Sequence, residues 1–96
     1  MEVKELQKKI VEHVEAWDKK RGVLYNEELA FTHIVEEIGE MAHEYISEKA
    51  RRDEYNADEF ENAIGDTLIQ LVRLANLRGL DVEEVVFKIL KEDVPR

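Results

Sequence analysis

Among the glutamates at positions 36, 37, 40 and 44, the pairs 36/40, 37/40 and 40/44 stand three or four residues apart, so a helix would make each pair neighbours on its surface. Each such like-charge pair costs an isolated helix about 0.2–0.5 kcal/mol. A divalent cation reverses the sign of that interaction, because hard ions such as Mg²⁺ prefer carboxylate oxygens. A solvated acidic face accounts for these residues taken alone. Asp66 alters the balance: it sits in Ala63-Ile-Gly-Asp-Thr-Leu-Ile-Gln-Leu-Val72, the most apolar stretch of the chain. There a charge must find water, a partner or a metal. Arg73 lies two helical turns away, a strained reach for a salt bridge, and Asp66 added to the four glutamates suggests a carboxylate metal site.

Two histidines join this set. Glu40-Met41-Ala42-His43 is a Glu-x-x-His element, which di-iron helical bundles use twice alongside two further glutamates. This chain has a single copy, so a di-iron bundle would need a symmetric dimer. His33, one turn before Glu37, offers a pair to Glu36 or Glu37, or a supporting contact to a metal ligand. Trp17, Tyr25 and Phe31 could stack on a nucleobase or pack in a core or interface.

The elements that must carry these residues read as helices. Val3, Leu6, Ile10, Val14 and Trp17 recur at helical spacing from Glu2 to about Lys20, and Gly22 suits the left-handed residue that ends a helix. Asn26 caps a second helix running to Lys49, whose apolar stripe is Phe31, Ile34, Val35, Ile38, Met41, Ala42 and Tyr45. After a polar connection over residues 51–57, Asp58 and Glu61 have capping-box spacing for a third helix. Phe60, Ile64, Leu68, Leu71, Val72 and Ala75 form its expected buried side, and Gly79 stops it. Asp81 and Glu84 repeat the cap before a short fourth stripe of Val82, Val85, Val86, Ile89 and Leu90, closed by Pro95. No stretch alternates cleanly as a strand, so the expected fold is all-α, a four-helix bundle.

Ile38-Gly39-Glu40 and Ile64-Gly65-Asp66 repeat an Ile-Gly-acid pattern. A glycine inside a helix costs about 1 kcal/mol relative to alanine. Close approach of the two helix backbones, or two unrelated tolerated glycines, would account for the pair.

Ninety-six residues suffice for one domain, residues 1–96. The absence of cysteine excludes disulfides, thiolate zinc sites and cysteine nucleophiles. A net charge of −9 repels a phosphodiester backbone, which argues against duplex nucleic acid as a partner. No apolar run approaches the roughly 20 residues of a bilayer span. The opening Met-Glu-Val-Lys-Glu-Leu lacks an apolar signal region, and the expected location is cytoplasmic. A domain this small buries only about 60% of its chain surface alone, so a homodimer or homotetramer is expected.

Val35-Glu36-Glu37-Ile38-Gly39-Glu40-Met41-Ala42, then Ile64-Gly65-Asp66-Thr67-Leu68, then Leu74-Ala75-Asn76-Leu77-Arg78-Gly79-Leu80-Asp81-Val82-Glu83-Glu84, resembles the MazG-like nucleotide pyrophosphohydrolases. Trp17-Asp18-Lys19-Lys20-Arg21-Gly22 also fits, and the resemblance spans residues 5–90. It implies an all-α hydrolase, dimeric or tetrameric, that uses Mg²⁺ or Mn²⁺ to convert a nucleoside triphosphate to the monophosphate and pyrophosphate. Clearance of non-canonical nucleotides is one such role. By position the metal-binding roles fall on Glu37, Glu40 and Asp66, and the fourth falls on Ala63, which cannot coordinate. Asn62 offers an amide oxygen in its place; fewer metal ions, or a member that binds nucleotide or a partner with impaired turnover, are the alternatives. Glu36 is the candidate base for an attacking water. Lys88 and Lys91 are the basic residues of the last helix, and the phosphate contacts stay unassigned.

Overall fold

The computed structural model describes residues 2–23, 25–50 and 55–92. Residues 51–54 of the expected polar connection, and Pro95, lie outside them. Four helices follow one another: α1 (Val3–Arg21), α2 (Glu27–Ala50), α3 (Ala57–Leu77) and α4 (Val82–Glu92). Among the described residues there is no strand, and the fold class is all-α as expected. No described helix is long and apolar enough to cross a membrane.

Local chemistry explains most of the ends. Gly22 closes α1 at φ 68° and Gly79 sits at φ 70°, both in the left-handed region that glycine enters without a Cβ penalty. Asn26 caps α2, its Oδ1 accepting the Leu29 amide at 2.9 Å. Asp81 caps α4 in the same way, accepting the Glu84 amide at 3.0 Å. The expected cap of α3 is corrected: Asn56, not Asp58, accepts the Glu59 amide at 3.1 Å, and the helix begins at Ala57. Asn and Asp cap equally well. The choice follows from a distant residue, Glu44, whose Oε2 accepts the Asn56 amide at 2.7 Å.

The chain forms two compact units, Met1–Tyr25 with Val72–Arg96, and Asn26–Leu71. In the first, Gln7 of α1 grips the turn between α3 and α4. Its Nε2 donates to the Leu80 carbonyl at 3.0 Å, and its Oε1 accepts the Val82 amide at 2.8 Å. Lys4 stands 3.9 Å from both Asp81 and Glu83. Arg73 is buried, with its guanidinium 3.8 Å from the Tyr25 ring centroid and 3.4 Å from Asp18, so its charge is directed to Asp18.

The second unit holds α2 and the first part of α3, which run antiparallel, since Glu44 meets Asn56 while Asp66 lies within electrostatic reach of Glu37. Of the expected stripes Ile34 is buried, but most of the other buried residues lie outside them. Ala30, Ile34, Glu37, Glu44 and Ser47 are buried on α2, and Ala63, Thr67 and Gln70 on α3. Phe31, Val35, Ile38 and Tyr45 are exposed, as are Ile64, Leu68 and Leu71. A helix turns only one side inward, and here that side is the one carrying small and acidic residues, which leaves the apolar ridge uncovered. Of the two readings of the paired glycines, the structure favours two unrelated tolerated residues. Among the described residues, a Cβ at Gly39 or Gly65 would meet nothing from another helix within 4 Å, so no neighbouring backbone approaches either of them closely.

Candidate functional site

Within the second unit, α2 and α3 enclose a cleft of about 630 Å³. Helical spacing supplies its walls: Glu36, Gly39, Glu40, His43 and Glu44 come from α2, and Glu59, Asn62, Ala63 and Asp66 from α3. The structure therefore places Glu36, Glu40 and Asp66 around one space, with Ala63 and Asn62 beside them. Gly39, with open space where its side chain would stand, helps to open the wall.

Glu37 is not among the lining residues; it is buried next to them, only 8% exposed. Burial raises its pKa above the ordinary 4.5, and the neighbouring charges of Glu40 and Asp66 raise it further. His33 opposes the shift, its Nε2 standing 3.7 Å from Glu37 Oε1; of the partners the sequence left open, Glu36 and Glu37, it is Glu37 that it meets. Glu37 Oε2 is buried without a hydrogen-bond partner. A carboxylate in that condition, facing two other acids, is electrostatically unfavourable on its own and suited to a cation.

Among the described residues, no three His, Asp or Glu side chains stand close enough together to enclose a metal ion as they are placed. Mutual repulsion of carboxylates favours such spacing. The donor set, hard oxygens with one orphaned buried carboxylate atom, fits Mg²⁺ in its chemistry. Ala63 is 2% exposed and supplies no donor.

Two residues of the cleft were not singled out from the sequence. Glu59 lines it one turn before Ala63. Glu44, noted only as one acid among several, is buried and holds the start of α3. Both hide among 23 acidic residues, and only the antiparallel pairing of the helices distinguishes them. At the far end of the same helices, Tyr55 has its pKa raised by burial and then by Glu48, Glu44 and Glu61.

The aromatic candidates divide. Arg21 lies 4.0 Å from the Trp17 ring centroid and His13 is tilted against that ring at 6.0 Å, while Arg73 covers Tyr25. Phe31 is 61% exposed and borders a separate hollow with Asn26, Glu27, Glu28 and Thr32.

Comparison with protein families gives a match to the MazG nucleotide pyrophosphohydrolase domain over residues 25–92. The chain belongs to the MazG family. The matched region contains the whole cleft and extends through α4, so it takes in parts of both compact units. MazG membership agrees with the all-α architecture and points to hydrolysis of nucleoside triphosphates. Searches of curated proteins and of solved structures returned no match.

Proposed function

We propose that this chain is a Mg²⁺-dependent pyrophosphohydrolase that converts an NTP or dNTP to the nucleoside monophosphate and pyrophosphate, with Mn²⁺ as a substitute ion. The observation that supports this reading best is the electrostatic frustration of Glu37, buried with one bare carboxylate oxygen and pressed by Glu40 and Asp66. Glu37, Glu40 and Asp66 would hold the metal. When bound, Mg²⁺ supplies charge neutralisation for the triphosphate and a bound water of lowered pKa. Glu36, exposed in the cleft wall, would take the proton of an attacking water. The carboxylates of the wall repel a triphosphate of about four negative charges, so substrate binding requires the cation.

The reading extends to the whole chain as one MazG-like domain, cytoplasmic, acting as a homodimer or homotetramer. The exposed ridge of Phe31, Val35, Ile38 and Tyr45 supports the oligomer, since contiguous apolar surface on a small protein marks an interface. Clearance of non-canonical nucleotides is the proposed role.

Incubation of the purified protein with each NTP and dNTP plus Mg²⁺ tests the reaction, with pyrophosphate and orthophosphate detected separately. Pyrophosphate release that Glu40→Gln abolishes is the expected result; activity unaffected by that substitution rejects the assigned site. Ala63 favours one second reading, a member that binds nucleotide with little turnover. In that case calorimetry detects binding without product, and Ala63→Glu restores catalysis.

A further inference from the structure

The cleft has a donor problem. Its ionisable wall, Glu36, Glu40, Glu44, Glu59 and Asp66, offers only acceptors when ionised, and phosphate oxygens are acceptors too. Gly39 and Ala63 have no polar side-chain atom. Among the described lining residues, His43 and Asn62 are the ones whose side chains carry N–H groups. They come from different helices, His43 from α2 and Asn62 from α3. Both are exposed to the space, and neither is engaged by another described side chain.

We infer that His43 and Asn62 form the direct protein contacts to the phosphate chain of the bound nucleotide, one from each side of the cleft. This inference rests on the nucleotide reading above. His43 donates one ring N–H and Asn62 two amide hydrogens, and every other contact from this wall to the phosphates must pass through a cation or water. The arrangement separates two tasks. Carboxylates neutralise by way of the metal, while His43 and Asn62 fix where the phosphate chain lies. Neither assignment needs a charged imidazole, since the neutral ring keeps one N–H.

Titration calorimetry with inorganic pyrophosphate in Mg²⁺ tests the inference, alongside Mn²⁺ affinity measured by electron paramagnetic resonance without pyrophosphate. His43→Phe and Asn62→Leu should each weaken pyrophosphate binding about tenfold, the worth of a hydrogen bond to a charged group. Mn²⁺ affinity should stay within about twofold, because this inference gives Asn62 to the phosphates rather than to the metal as a stand-in for Ala63. His43→Gln, which keeps an N–H donor, should retain most of the pyrophosphate affinity. Circular dichroism checks that each variant is folded; both positions are exposed, and His43→Leu, which also lacks an N–H, serves if the phenylalanine variant fails. Three outcomes overturn the inference: unchanged pyrophosphate binding in both variants, an equal loss of Mn²⁺ affinity, or no binding by the parent protein. Failure of the parent protein to hydrolyse any nucleotide while it still binds pyrophosphate through His43 and Asn62 would instead reject the proposed reaction.

Discussion

The carboxylate of Glu44 accepts the backbone amide of Asn56 at 2.7 Å, twelve residues further along the chain. That bond ties the last turns of α2 to the cap of α3 and so sets the register in which Glu36 and Glu40 face Asp66. Glu44 is an acid in an acidic cleft, yet its role is to align the two helices that form it.

Removing this acceptor should loosen the hairpin. Glu44→Ala leaves the Asn56 amide without its partner and should lower stability by about 1–3 kcal/mol. Glu44→Gln keeps an acceptor and should cost less. Urea denaturation of both variants, followed by circular dichroism, checks the order.

Glu37 makes stability depend on pH in a defined direction. Its folded pKa lies above the ordinary 4.5, chiefly through burial and then through Glu40 and Asp66. Between 4.5 and the raised value, the folded chain holds a proton that the unfolded chain has lost. This group's contribution to stability is therefore greatest at acid pH, declines as pH rises through that interval, and is flat above it. In metal-free protein, Glu37→Gln should remove this component and increase stability near neutrality relative to the parent. Denaturation midpoints in EDTA from acid to neutral pH measure the difference between the two proteins.

Gln7 is exchangeable in only one half of its role. Gln7→Glu retains the acceptor for the Val82 amide and loses the donor to the Leu80 carbonyl, while Gln7→Leu loses both. The expected losses are about 1 kcal/mol for the first and about twice that for the second. Hydrogen exchange at the Val82 amide should accelerate in Gln7→Leu and remain slow in Gln7→Glu.

The apolar ridge of α3 should respond to charge. Leu68 is 57% exposed in the single chain, and a second copy seated on this ridge would bury it. Leu68→Glu should shift sedimentation toward the monomer, with helix content by circular dichroism unchanged. An unaltered sedimentation coefficient in an oligomeric parent would place the interface elsewhere.

Hydrogen bonds and periodicities that span four residues or fewer were legible in the sequence. Asn26 and Asp81 cap the helices expected of them, Gly22 and Gly79 take left-handed conformations, the four helices begin within a residue or two of their signals, and α1, α2 and α3 end as close to theirs. The pairing of His33 with Glu37 is of the same kind, one turn apart on one helix. Such features depend on nearest neighbours, whose identities a linear chain states directly.

Which side of a helix turns inward is not a local property. The apolar stripe of α2 pointed to Ile38 and Tyr45 as core, but the folded chain buries Glu37, Glu44 and Ser47. Asp58 and Asn56 were equivalent caps until Glu44 selected one of them across the hairpin. The acid spacing at 36, 37 and 40 follows from the sequence alone, but the approach of Asp66 to Glu37 required α3 to return antiparallel along α2. The sequence thus determined the helices and the supply of carboxylates. Tertiary structure decided which of them share a cleft, because burial and electrostatics are set by the partner surface that each helix meets.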